Sequence, residues 1–89
     1  MNEFEVTIVN RLGLHARAAA KFVHLASGFA SRVTVAREGT RVDGKSILGL
    51  LTLAAAKGTK LHITIQGDDE TEAAEKLSEL VRLRFGEDG

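Results

Sequence analysis

The sequence has no cysteine, proline, tryptophan or tyrosine among its 89 residues. Without cysteine the chain cannot form disulfides, perform thiol chemistry or build thiolate metal sites. It contains no apolar run long enough to cross a bilayer and no basic-then-apolar leader, so we expect a cytoplasmic protein without membrane insertion. Four phenylalanines are its only aromatic residues, and none of them lies in a basic cluster. Nucleic-acid binding usually combines positive charge with aromatic stacking, so we expect no nucleic-acid partner.

The charges balance overall but are unevenly distributed along the chain. Residues 1–66 contain nine Lys/Arg against four Asp/Glu, whereas residues 67–89 contain three against eight. The length suits a single domain over residues 1–89 with a small core and no large ligand cavity. Two histidines, His24 and His62, lie on different predicted elements without thiolates or a motif carboxylate beside them, which is a poor basis for a metal site. We therefore expect a monomer without metal or cofactor, whose function lies on its surface.

Strands are predicted wherever apolar and polar residues alternate, because this pattern gives a strand one buried face. A tight turn at Glu38-Gly39 adds a short strand that runs through Val42. The alternating stretches are Phe4–Ile8, Val33–Val35 and Leu61–Gln66.

Helical periodicity and end signals predict three helices between and after these strands. One runs from Ala16 to Ser27 and ends at Gly28; a second runs from Ile47 to about Ala55, with Gly58 as its stop. The last opens with a capping-box-like arrangement of Asp69 and Glu72. The order β-α-β-β-α-β-α predicts an α+β fold, an open-faced sandwich in which helices cover one face of an antiparallel sheet.

The strongest functional signal is the run Gly13-Leu14-His15-Ala16-Arg17. It places an imidazole where a glycine-containing loop enters a helix whose first turn leaves N–H groups unpaired and carries a partial positive charge. That environment stabilises a dianionic phosphoryl group and disfavours an imidazolium. We therefore predict that His15 is a neutral nucleophile, and that the amides of Ala16 and Arg17 and the Arg17 guanidinium stabilise a transferred phosphoryl group. In the alternative interpretation, His15 is only a helix N-cap and Arg17 a solvated charge.

This motif, together with Lys45–Leu51 and Ala56–Thr59, resembles the histidine-containing phosphocarrier (HPr) family of the bacterial phosphoenolpyruvate-dependent sugar phosphotransferase system. The resemblance covers essentially the whole chain and implies a sheet with spatial strand order 1-4-2-3. It also implies a carrier rather than an enzyme acting alone. In that role, Nδ1 of His15 takes a phosphoryl group from phospho-enzyme I and passes it to a histidine of an enzyme II A component.

Ala18 departs from the usual family pattern, and the C-terminal tail points to one branch of the family. Proline usually follows the motif arginine, but this chain has Ala18, which keeps the helix and adds an N–H donor near His15. We therefore include Ala18 with Ala16 and Arg17 in the predicted phosphate-binding backbone. The tail Phe85–Asp88 resembles those of the nitrogen-regulatory branch, so a nitrogen-branch paralogue stays open. A third interpretation, from a different class, is a non-catalytic protein-binding module.

Ser46 precedes the second predicted helix and is expected to be its N-cap. The resemblance implies that it is also a regulatory site, modified by an HPr kinase/phosphorylase, where a phosphate adds about −1.5 to −2 charge. Gly39–Ser46 matches the spacing of a P-loop, but its residues alternate like a strand and the chain is too short for the parallel sheet that a P-loop needs. The resemblance further implies a docking face for partner proteins, formed by Ala20, His24, Ile47, Leu48 and Leu51.

Overall fold

Four antiparallel strands form one sheet with the spatial order β1-β4-β2-β3. In the computed structural model, which describes residues 1–89, Ile63 at the centre of β4 lies opposite Phe4 of β1 and Val35 of β2. The predicted antiparallel sheet and the strand order implied by the resemblance are confirmed. The strands are β1 (Asn2–Thr7), β2 (Arg32–Arg37), β3 (Thr40–Asp43) and β4 (Lys60–Gln66).

Three helices and a short 3-10 turn complete the fold, in the order predicted for the main elements. They are α1 (Ala16–Ser27), α2 (Ile47–Thr52), α3 (Glu70–Arg82) and the turn Arg84–Gly86. No helix combines the length and the apolar character needed to cross a membrane. The core lies between the helices and the apolar face of the sheet, and its largest fully buried side chains are Phe85, Ile8, Leu50, Ile63, Ile65, Leu77, Val33, Val35 and Val81.

The second helix is shorter than predicted, since it ends at Thr52 rather than near residue 55. Ala54 adopts a left-handed backbone conformation with φ of 48°, which is incompatible with a continuing right-handed helix. The Arg37 guanidinium donates to the carbonyl oxygens of residues 53 and 54 at 2.8 and 3.1 Å. These contacts satisfy carbonyl groups that the helix end would otherwise leave unpaired. Because α2 has already ended at Thr52, the prediction that Gly58 ends this helix was wrong.

The predicted capping box at the start of α3 is also wrong. Asp69 occupies the N-cap position, but its side chain makes no capping hydrogen bond. Instead its carboxylate accepts hydrogen bonds from the Ser31 hydroxyl, from the Ala30 N–H at 2.8 Å and from the Ser31 N–H at 3.0 Å. These donors, the Ser31 hydroxyl foremost, hold the pKa of Asp69 below its usual value. Asp69 therefore joins the start of α3 to the segment that leads into β2.

Candidate functional site

His15 lies at the N-cap of α1. The sequence predicts this position whether His15 is a phosphoryl acceptor or only a helix cap. Its backbone is extended (φ −80°, ψ 179°), and its side chain is 28% exposed. The first helical hydrogen bond runs from the Ala19 N–H to the His15 carbonyl at 2.8 Å, so the N–H groups of Ala16 and Arg17 have no acceptor. Both residues are exposed. An accessible imidazole therefore lies beside free backbone donors at the positive end of a helix dipole.

The loop before His15 is fixed by contacts with the segment that follows α2. The Leu14 N–H donates to the Ala55 carbonyl at 2.8 Å. Gly13 has φ of +72°, and a Cβ at this position would lie 2.6 Å from the same carbonyl oxygen. Only glycine fits both the left-handed conformation and this close approach. The motif glycine therefore determines how the chain enters α1.

The remaining predicted phosphate-binding groups differ in their accessibility. Arg17 is exposed, forms no ion pair, and borders a surface depression together with His15 and Glu87. Its guanidinium is thus available to an incoming anion. Ala18 is completely buried, so its N–H is covered and cannot reach a phosphoryl group in this conformation. We therefore retain only Ala16 and Arg17 as backbone donors.

Two residues of the site, Asn10 and Glu87, are not predicted by the sequence pattern. The buried Asn10 amide donates to the Gly13 carbonyl at 2.8 Å and to Oε1 of Glu87 at 2.9 Å. Oε2 of Glu87 contacts Nε2 of His15. Hydrogen bonds from Asn10 and, to a smaller extent, from His15 hold the pKa of Glu87 below its usual value. Because Glu87 and His15 are 72 positions apart, no local pattern could reveal their contact.

Ser46 caps α2, as predicted. Its Oγ accepts a hydrogen bond from the Gly49 N–H at 3.0 Å. The segment from residue 39 to Ser46 contains β3 and its antiparallel pairing with β2, so it is not a P-loop, again as predicted. Ser46 is half-buried.

The five residues of the implied docking face lie on two helices that pack against each other, α1 and α2. Leu48 is 77% exposed and Ile47 is 40% exposed. Ala20 and His24 are exposed as well, whereas Leu51 is half-buried. The molecule therefore presents apolar side chains of α2 close to an exposed face of α1.

The two other histidines lie outside this site. His62 of β4 contacts Glu3 of β1 at 3.0 Å, and His24 is exposed on α1. The structure contains no group of three or more His, Cys, Asp or Glu side chains that could hold a metal ion.

Comparison with solved structures shows the same fold in bacterial proteins. The chain matches HPr-C-His from Thermoanaerobacter tengcongensis with a TM-score of 0.96 and 40% identity, over 100% of both chains. It also matches an HPr from Bacillus anthracis with a TM-score of 0.86 and 36% identity, over 90% of this chain and 95% of the other. Another solved relative, from Thermoanaerobacter tengcongensis, is described as an HPr dimer (TM-score 0.78, 41% identity, over 98% and 100% of the two chains).

Sequence comparison agrees with the fold. A family model described as the PTS HPr component phosphorylation site matches residues 2–82. The chain is 49% identical to the phosphocarrier protein HPr of Xylella fastidiosa over 88 residues, covering 99% of both proteins. It is 51% identical to that of Pseudomonas aeruginosa over 88 residues, covering 98% of both. With His15 beside free amide donors at the start of α1, the chain belongs to the HPr family of phosphocarrier proteins of the phosphotransferase system.

Proposed function

We propose that this phosphocarrier accepts a phosphoryl group on Nδ1 of His15 from phospho-enzyme I and passes it to enzyme II A components for sugar uptake. The observation that carries this proposal is the accessible His15 imidazole beside the unpaired N–H groups of Ala16 and Arg17. The protein is consumed and regenerated in each cycle, so it acts as a carrier within a relay rather than as an enzyme by itself.

The chemistry requires positioning and neutralisation of negative charge more than it requires an elaborate active site. The Nδ1 lone pair attacks phosphorus, the N–P bond of the donor phosphohistidine breaks, and its electron pair returns to the donor ring. The amides of Ala16 and Arg17 and the Arg17 guanidinium form charge-assisted hydrogen bonds to the phosphoryl oxygens. The same groups hold the phosphoryl until an enzyme II A histidine attacks it in the reverse sense.

The test is phosphorylation of the full chain by phosphoenolpyruvate and enzyme I, followed by mass spectrometry of the intact protein. We expect the mass of one phosphoryl group, labile in acid, on the natural chain and none on His15→Ala. His62→Ala is the matched control, since it removes an exposed imidazole on the sheet, and it should be phosphorylated normally. Phosphorylation of His15→Ala would disprove the site. A natural chain that binds partners but never accepts phosphate would favour the non-catalytic binding module.

Phosphorylation of Ser46 by an HPr kinase/phosphorylase is a further part of the proposal. Phosphate is tolerated at a helix N-terminus and adds negative charge beside the proposed docking face on α1 and α2. We expect Ser46→Asp to slow phosphorylation of His15 by enzyme I. Ser46→Ala, which loses the cap but gains no charge, should cost about 1 kcal/mol of stability and leave the transfer rate nearly unchanged. Equal rates for the two variants would contradict a regulatory role for this charge.

The second candidate function is a relay of the nitrogen-regulatory branch, which is favoured by the tail Phe85–Asp88. The two branches differ in the enzyme I that supplies phosphate. Rates of His15 phosphorylation measured with both kinds of enzyme I would therefore distinguish them. Faster transfer from the sugar-branch enzyme supports the first proposal, and faster transfer from the nitrogen-branch enzyme supports the second.

A further inference from the structure

The C-terminal residues fold back over the site and are anchored on both sides of Glu87. Arg84 and Phe85 adopt left-handed conformations with φ of 59° and 55°, which turns the chain at the end of α3. Before Glu87, the Phe85 carbonyl accepts a hydrogen bond from Lys21 Nζ at 2.7 Å. After it, the backbone oxygen of Gly89 accepts one from the Arg11 N–H at 2.8 Å. The Phe85 side chain is buried, so Glu87 is held in place rather than carried by a free tail.

Asn10 fixes the orientation of the Glu87 carboxylate. Asn10 is fully buried, and its amide nitrogen donates to two oxygens, the Gly13 carbonyl at 2.8 Å and Oε1 of Glu87 at 2.9 Å. Its Oδ1 has no hydrogen-bond partner. An inverted amide would place that oxygen against both acceptors, so the observed orientation is the favourable one. Oε1 of Glu87 is thereby engaged, and Oε2 is directed at His15.

The contact between Glu87 and His15 determines which ring nitrogen carries the proton. An ionised carboxylate only accepts hydrogen bonds. Its partner, Nε2 of His15, must therefore be the donor. In a neutral imidazole the other nitrogen, Nδ1, then has the free lone pair. This nitrogen makes no hydrogen bond within the protein.

We propose that Glu87, oriented by Asn10, is a positioning residue that holds neutral His15 in the Nε2–H tautomer and so keeps Nδ1 ready to attack phosphorus. This inference deepens the proposed function and rests on it. In this tautomer Nδ1 forms the new N–P bond while the donor N–P bond breaks, and no proton has to leave Nδ1. The attack makes the His15 ring cationic, and the Glu87 carboxylate at Nε2–H stabilises that charge. In the opposite tautomer, the Nδ1 proton must be lost before transfer.

The decisive variant is Glu87→Gln, which keeps the shape of the side chain. Because Asn10 donates toward one arm, the Gln oxygen is expected to face Asn10 and the Gln amide to face His15. A donor facing Nε2 favours the Nε2-unprotonated tautomer and places the proton on Nδ1. Asp88→Asn removes the same charge from the neighbouring exposed residue and is the matched control. The readout is the nitrogen NMR spectrum of 15N-labelled imidazole in the unphosphorylated full chain, which distinguishes protonated from unprotonated ring nitrogens.

We expect the natural chain and Asp88→Asn to show Nε2–H as the major neutral tautomer, and Glu87→Gln to shift it toward Nδ1–H. Phosphorylation by enzyme I should slow by about ten- to a hundredfold in Glu87→Gln and recover partly in Glu87→Asp. A natural chain with its proton on Nδ1, or on both nitrogens at neutral pH, would overturn the inference, as would transfer at the natural rate in Glu87→Gln. The NMR measurement needs no partner protein. It therefore judges this inference separately from the proposed function, which fails if the natural chain accepts no phosphate.

Discussion

At the scale of single residues, two carboxylates of the acidic C-terminal segment make contacts that their local sequence does not suggest. Glu87 contacts Asn10 and His15 near the start of the chain. Asp69 stands where a helix cap is expected, yet binds Ser31 and its neighbour across 38 positions or more. In both cases a carboxylate finds donors on a distant element. These carboxylates therefore connect the C-terminal segment to residues 10–31 through hydrogen bonds whose donors, apart from His15, are neutral groups.

Asp69 gives a pH-dependent prediction. Its pKa is lower in the folded protein than in the unfolded chain, mainly because the Ser31 hydroxyl donates to it. The folded state therefore binds this proton more weakly, and the stabilisation is complete above the unfolded pKa of about 4 and disappears as the pH falls toward the lower folded value. We expect Asp69→Asn to lower the thermal midpoint at neutral pH. The difference from the natural chain should shrink in acid, as followed by circular dichroism.

The control for this prediction is Asp68→Asn. Asp68 is exposed and adjacent to Asp69 in the sequence, so its substitution changes net charge equally without removing the contacts to Ser31. We expect its thermal midpoint to follow that of the natural chain at every pH. An Asp69→Asn deficit that stays constant into acid would show that the carboxylate charge does not stabilise the fold.

At this scale the sequence predicts part of the site and omits the rest for a physical reason. His15 and Arg17 follow from a local pattern, since a helix start and its unpaired amides involve consecutive residues. The role of Glu87 depends on how the tail folds back through the left-handed Arg84 and Phe85. Neighbouring residues do not predict that turn, because residues other than glycine rarely adopt a left-handed backbone conformation.

At the scale of elements, the loop before α1 and the chain after α2 position each other. Gly13 approaches the Ala55 carbonyl so closely that no side chain fits, and the Leu14 N–H binds the same oxygen. The early end of α2 makes this possible, since Ala54 turns the backbone out of the helix. A helix continued as predicted would direct this carbonyl along its own axis. The early end of α2 therefore helps to position the loop that carries His15.

Gly13→Ala tests this packing. A methyl group would lie 2.6 Å from the Ala55 oxygen at a position with φ of +72°, so we expect a loss on the order of 2 kcal/mol in the free energy of unfolding. Gly39→Ala is the matched control, because Gly39 also has a positive φ, +85°, but a methyl group there would meet no atom within 4 Å. It should lose about 1 kcal/mol from backbone strain alone. Equal losses in urea denaturation would show that the contact with Ala55 contributes nothing.

At the scale of the whole molecule, the fold could be predicted because its determinants repeat along the chain. Alternating apolar residues produce the buried face of the sheet, and helical stripes such as that of α1 cover it. The spatial order of the strands came from the family resemblance, since periodicity does not say which strands pair. The apolar residues of α2 could not be divided into buried and exposed from the sequence, because nearly every side of this short helix is apolar. The structure makes that division: Leu50 is 1% exposed and Leu48 is 77% exposed.

We expect this division to separate stability from partner binding within one helix. Leu50→Ala empties part of the core and should cost about 2 to 5 kcal/mol of unfolding free energy. Leu48→Ala should change stability by no more than about 0.5 kcal/mol but weaken enzyme I binding about tenfold, as expected for an exposed apolar residue at a docking centre. Leu83→Ala is the control, since Leu83 is also exposed, at 55%, but lies beyond α3. The measurement is calorimetric titration of each variant with enzyme I. Equal affinities of Leu48→Ala and Leu83→Ala for enzyme I would show that Leu48 does not belong to the docking face.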